Sequence, residues 1–192
     1  MKKIVISLVG MIGSGKTSVI RELSKKGYPI IDEGYMSSYI RFDNRLSVSK
    51  WSWIANWFNS IYDYFETHPE HKFVFTDRSA LEAGLWTNSC YAFKPSLENS
   101  FNEMMEMGYS FINICLYCDN ITLKKRINER LMDEPFRKQF NEANDEFISE
   151  LIESYKRHND IWEFHIDTSV STPSEICDGI LKFVNKNSDI SI

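Results

Sequence analysis

The sequence is poor in cysteine, has no excess of basic charge and contains no apolar run long enough to cross a bilayer. Each shortage excludes something. Four cysteines in 192 residues, Cys90, Cys115, Cys118 and Cys177, suit a reducing compartment better than a disulfide framework. Cys115-Leu-Tyr-Cys118 has the spacing of half a zinc site, but Cys90 and Cys177 supply no second pair. In an apolar strand that spacing points two thiols to opposite faces, so both read as core residues. His68-x-x-His71 straddles a turn at Pro69 and reads as surface loop. A net charge of −5 leaves no broad basic surface, which disfavours bulk nucleic-acid binding and leaves open a small anion in a local basic pocket. No stretch approaches the roughly 18 apolar residues of a membrane span. Met1-Lys2-Lys3 and the apolar run behind it form too short a segment, without a cleavage site, for a secretory signal. An unprocessed cytoplasmic chain with no membrane partner is expected.

What is present is 43% apolar and 14% aromatic residues, enough for the core of one domain over 1–192. β-Branched or apolar runs predict strands at Lys3–Val9, Tyr28–Asp32, Phe73–Thr76, Phe111–Cys118 and Glu163–Asp167. Helical periodicity predicts helices between them: Thr17–Lys26, Ser47–Glu66, Ser79–Trp86, Ser96–Met107, Asn120–Leu131 and Lys138–His158. Thr172-Pro-Ser-Glu175 has the pattern of a capping box opening a last helix. Strict alternation implies an α/β fold: a P-loop three-layer α/β/α domain with a five-stranded parallel sheet and a small lid at about 131–138.

The strongest motif is Gly10-Met11-Ile12-Gly13-Ser14-Gly15-Lys16-Thr17, which matches G-x-x-x-x-G-K-[ST] between a buried strand and a helix. Its glycines let successive backbone N–H groups and the helix N-terminus face the phosphates of ATP. Lys16 brings a mobile charge, the Thr17 hydroxyl can ligate Mg²⁺, and Ser18 extends the nucleotide-binding set into the first helical turn.

Such a loop serves several functions, and other residues must choose among them. Asp77, directly after the third strand, is placed to hold Mg²⁺; Asp119, after the fourth, is the weaker competitor, and helix capping is the alternative role for such an acid. Neither Asp-x-x-Gly nor Asn-Lys-x-Asp occurs, which argues against a GTPase switch. A large mechanical ATPase would need further subdomains for which no chain remains. A phosphotransferase needs an acceptor site, a base and neutralising cations. Asp32-Glu33 ends the second strand, where ligands of a parallel sheet gather, and either acid could take a hydroxyl proton. Arg78 lies beside Asp77. Arg126 and Arg130 share one helix face, where like charges repel by roughly 0.2–0.5 kcal/mol unless an anion sits between them; a solvated basic face is the alternative. Arg137 could belong to a closing lid.

This order of motifs resembles the deoxynucleoside kinase family over most of the chain: phosphate loop, acid after strand two, aromatic helix, Asp77-Arg78-Ser79, paired arginines before a lid. The resemblance implies ATP with Mg²⁺, a (deoxy)nucleoside as small-molecule acceptor, and a chain able to form a homodimer. It implies that Glu33 takes the proton of a 5′-hydroxyl, with Lys16 and Arg78 as catalytic cations. Asp77 stands where the family has Glu, closer to the Asp-Arg of thymidylate kinases. Trp51-Ser-Trp53-Ile-Ala-Asn56 resembles the stretch in which a Trp precedes a base-reading Gln, so Asn56 takes the place of the amide. Trp53 and Trp57 stack on the base or pack in the core. Arg126 and Arg130 match lid arginines, Met132 stands where the next arginine falls, and Glu134 lies near a sugar-contacting acid. A monophosphate kinase of thymidylate kinase type, with Arg41 and Arg45 for the acceptor phosphate, is the second reading. A nucleotide-binding module without phosphotransfer is the third.

Overall fold

In the first strand, β1 (Lys3–Gly10), residues alternate between two covered faces. Ile4, Ile6 and Leu8 pack with residues of α1 (Lys16–Lys25) and α7 (Pro173–Asn187). On the other face Val5 meets α2 (Ser47–Thr67) and α4 (Cys90–Glu106), and Val9 meets α5 (Asn120–Asp133) and α6 (Asp145–Arg157). This is the period-two pattern of a strand buried on both sides. The exception is Ser7, fully buried, whose hydroxyl hydrogen-bonds with Thr76 Oγ1 at 2.9 Å.

The computed structural model describes residues 2–32, 47–85 and 90–188. Among them β1 is joined by β2 (Ile30–Ile31), β3 (Phe73–Asp77), β4 (Tyr109–Tyr117) and β5 (Phe164–Asp167) in one sheet of order β2-β3-β1-β4-β5, with every pairing parallel. The carboxyl ends of all five strands therefore point the same way, and β1 sits centrally with β3 and β4 as neighbours. A one-turn helix, α3 (Glu82–Leu85), follows β3.

The expected α/β/α fold is present, with shifts at several ends. β2 is two residues rather than five. α4 starts at Cys90 instead of Ser96 and carries Pro95 within it, so the proline does not open the helix. The helix expected from Lys138 begins only at Asp145: Pro135–Phe140 forms a 3₁₀ turn, Asn141 adopts φ +61°, and the Asn144 side chain caps α6 by accepting from Phe147 N. The segment between α5 and α6, where the expected lid at 131–138 falls, thus runs over 134–144. Cys118 falls beyond the end of β4 and packs against the same cluster as Cys115, not the opposite face. Burial pushes the Cys115 thiol up to about 12 and raises that of Cys118. No helix among the described residues is long and apolar enough to cross a membrane.

Candidate functional site

β1 runs out of apolar residues at Gly10, and from there the chain turns back on itself. Gly10 adopts φ +140°, and a Cβ there would stand 2.2 Å from the Leu116 carbonyl oxygen of β4, so no other residue fits. Gly13, at φ +80°, is pressed against α5: its Cβ would meet Ile127 at 3.1 Å. Ser14 N closes the turn on Met11 O at 3.1 Å, and α1 begins at Lys16. The Lys16 side chain is buried, and its ammonium donates to the carbonyls of Met11, at 2.9 Å, and of Gly10.

The loop opens on a cavity of about 580 Å³ beyond the carboxyl ends of the strands. Ile12, Gly13, Gly15, Lys16, Thr17 and Ser18 line it, while Gly10, Met11 and Ser14 form the layer behind. Asp77 and Arg78 reach the same cavity from the end of β3, held beside the loop because Leu8 pairs with Asp77 and Arg78 N donates to Leu8 O at 3.0 Å. Glycine backbone, a lysine, a threonine hydroxyl and a buried acid on one wall have the chemistry to fit a triphosphate with Mg²⁺, for which Thr17 and Asp77 would be the oxygen donors.

Arg78 has φ +78°, a left-handed conformation costly for a side-chain residue. Its carbonyl accepts from Trp57 Nε1 at 3.1 Å and Thr76 Oγ1 at 2.7 Å, which together hold that turn. Trp57 is 5% exposed, packs with Phe58, Phe101 and Phe111, and does not line the cavity. Of the two roles open to it, core packing is the one observed, so its place among the substrate contacts is corrected: it is a core residue that holds the Arg78 carbonyl. Asn56, expected to read the base, is exposed and is absent from the cavity wall; the residues α2 turns inward are Lys50 and Trp53. Burial lowers the pKa of Lys50.

The arginines expected at the phosphates line the cavity but are already engaged. Arg126 donates to Thr168 O at 2.7 Å and Thr168 Oγ1 at 3.0 Å, and approaches Gly13 O at 3.5 Å, joining α5 to the phosphate loop and the loop after β5. Arg130 pairs with Glu134 at 3.4 Å, so a protein acid rather than an anion relieves its repulsion with Arg126. Arg137 contacts Glu134 and pairs with Glu142 at 3.1 Å. The Arg137 contact, with Arg130 behind it, holds the Glu134 carboxyl below its ordinary pKa. Glu134 faces these arginines from the cavity wall. Asp119 caps α5, accepting from Ile121 N, Thr122 N and Thr122 Oγ1, and those bonds depress its pKa to about 2. Its oxygens serve the helix, which leaves Asp77 as the one of these two aspartates at the cavity. Glu33, Arg41 and Arg45 lie outside the described residues.

Sequence reasoning missed Glu82, Tyr155 and Thr168. Glu82, 1% exposed, accepts from Gly10 N at 3.1 Å and from the Tyr155 hydroxyl, and stands 3.5 Å from Arg78 Nη1. The available signal was Ser79-x-x-Glu82, which reads as a helix start; Ser79 N does donate to Glu82 Oε2 at 3.4 Å, but the other oxygen goes to Gly10. Thr168, 1% exposed, places its hydroxyl 2.9 Å from Ser14 O.

The model of the AAA domain family matches residues 6–149. The chain belongs to that family. Its fold is that of P-loop α/β kinases. A deoxyadenosine kinase from M. mycoides with bound dATP superposes with a TM-score of 0.63 at 19% identity, over 94% of this chain and 99% of that one. The thymidylate kinase of Candida albicans gives 0.61 at 11% identity, over 97% and 92%. The YorR protein of Bacillus subtilis, in complex with phosphorylated GDP, gives 0.55 at 20% identity, over 94% and 95%. No curated protein matches the sequence. The resemblance to deoxynucleoside kinases thus holds at the level of fold.

Proposed function

We propose that the chain is an ATP-dependent kinase that transfers the γ-phosphate to the 5′-hydroxyl of a (deoxy)nucleoside. The observation that carries this is the convergence of Lys16, Thr17, Asp77 and Arg78 on one cavity, with room beyond them toward Lys50 and Trp53. Lys16 exchanges its carbonyl partners for the triphosphate, and Arg78, at a fixed backbone angle, neutralises charge on the transferring group without reorganising. Thr17 and Asp77 would hold Mg²⁺, which when bound draws charge from the phosphate oxygens. Trp53 offers a flat apolar wall to the acceptor base. Glu33, two residues beyond β2, takes the hydroxyl proton.

The test is a screen of natural nucleosides and their monophosphates with ATP and Mg²⁺, in wild type and Glu33→Gln. The variant is expected to keep ATP binding while transfer falls by about 10² or more. Equal turnover would remove Glu33 from the chemistry. Lys50 favours one rival: a half-buried cation on the acceptor side of the cavity suits a substrate that already carries a phosphate. Turnover of monophosphates alone would establish that reading in place of the first.

A further inference from the structure

β3 leaves the sheet two residues too early to serve the phosphate loop. Its register with β1 ends at Leu8 and Asp77, and Leu8 O takes the last backbone bond, from Arg78 N. In a parallel ladder, residues two apart turn their N–H and C=O toward the same neighbour. Gly10 therefore presents both groups to a strand that has already turned away at Arg78. Two side chains fill the gap. Glu82 Oε1 accepts from Gly10 N at 3.1 Å, and the Tyr155 hydroxyl reaches Gly10 O at 3.1 Å while also contacting Glu82 Oε1. Both side chains are buried, and unsatisfied backbone groups there would be costly.

Gly10 O has a second donor, the Lys16 ammonium. A lysine that moves to a phosphate gives up that bond. Tyr155, whose single hydroxyl proton lies within reach of both Glu82 Oε1 and Gly10 O, is then the donor that turns to the carbonyl. We infer that Glu82 and Tyr155 are positioning residues that stand in for the missing strand, so that Lys16 can leave Gly10 for the triphosphate without disturbing the loop. The same Glu82 oxygen stands 3.5 Å from Arg78 Nη1, so one carboxylate references the donor loop and the transfer cation to each other. This deepens the kinase reading and rests on it.

The experiment compares Tyr155→Phe, Glu82→Gln and Glu82→Ala in the full chain, by titration with Mg²⁺-ATP and by urea unfolding of the ligand-free protein. Tyr155→Phe is expected to weaken ATP about tenfold while leaving the ligand-free urea midpoint close to wild type, because Lys16 still holds Gly10 O in that state. Glu82→Gln keeps an acceptor for Gly10 N and is expected to bind ATP within about threefold of wild type, whereas Glu82→Ala loses tenfold or more. Should the alanine variant fail to fold, the phenylalanine variant decides alone. A Tyr155→Phe protein that is less stable but binds ATP as wild type does would reduce the residue to packing and overturn the inference. Wild type that binds no ATP would remove the donor-site reading and this inference together; wild-type binding with an unaltered Tyr155→Phe variant removes the inference only.

Discussion

The phosphate loop and the lid both present cations to one cavity, yet they hold them differently. At the loop, Lys16 rests on two main-chain carbonyls: that of Gly10, which the buried Tyr155 of α6 also reaches, and that of Met11, which also takes Ser14 N. Across the cavity, Arg130 of α5 and Arg137 of the segment expected as a lid rest on Glu134 and Glu142, and Glu134 is partly exposed. The carbonyls that Lys16 gives up are neutral, so they leave no anion of their own beside the incoming phosphate. A cation on a carboxylate must leave an anion near the incoming anion. The loop is therefore preorganised, and the lid carries a local resistance to closing that only a multiply charged ligand overcomes.

Three measurements sharpen or break this contrast. Removing the loop's cation has the largest effect: Lys16→Ala is expected to lower phosphoryl transfer by about 10²–10³, the scale on which a preorganised electrostatic group acts, in an assay with saturating nucleoside. A loss below threefold would place the neutralising charge elsewhere. Glu134→Gln acts in the opposite direction, since it frees Arg137 and Arg130 from a competing carboxylate; ATP affinity is expected to rise by about two- to fivefold, the scale of partly exposed ion pairs. Weaker binding would make Glu134 a ligand contact instead of a latch. The smallest effect is at Asp119, which serves only its helix. Its folded pKa is depressed from 3.8 to about 2, so its contribution is full above 3.8 and disappears as pH falls through about 2. Asp119→Ala is expected to lower thermal stability slightly at neutral pH, to converge with wild type near pH 2, and to leave transfer unchanged. A loss of transfer would put Asp119 in the site.

Much of the loop was legible because its requirements are local. A buried strand, glycines and a lysine at fixed spacing impose one backbone path, and the path observed is that one. The same holds for Thr172, whose capping box with Glu175 forms as its spacing predicts. Legibility fails where a residue's role depends on what the fold brings to it. Trp57 has the right type and helix for a base, but the face of α2 it occupies turns to Phe101 and Phe111. Asn56 is one residue on the wrong side of the inward stripe of Lys50 and Trp53. Glu82 and Tyr155 are 73 positions apart, and nothing local to either reveals the pair. The start of α6 was expected at Lys138 because no glycine or proline interrupts 138–144, and only the capping geometry of Asn144 reveals that it begins at Asp145.

The central position of β1 also orders the site in time as the chain is made. Its partners along the sheet are residues 73–77 and 109–116, and the side chain that completes Gly10 is residue 155. The whole phosphate motif lies within residues 10–17, yet its walls come from residues made up to 138 positions later, at Tyr155. A bound nucleotide would thus find little to grip until Tyr155 is made, and any stabilisation by it, which requires preferential binding to the folded form, would arrive late and nearly all at once.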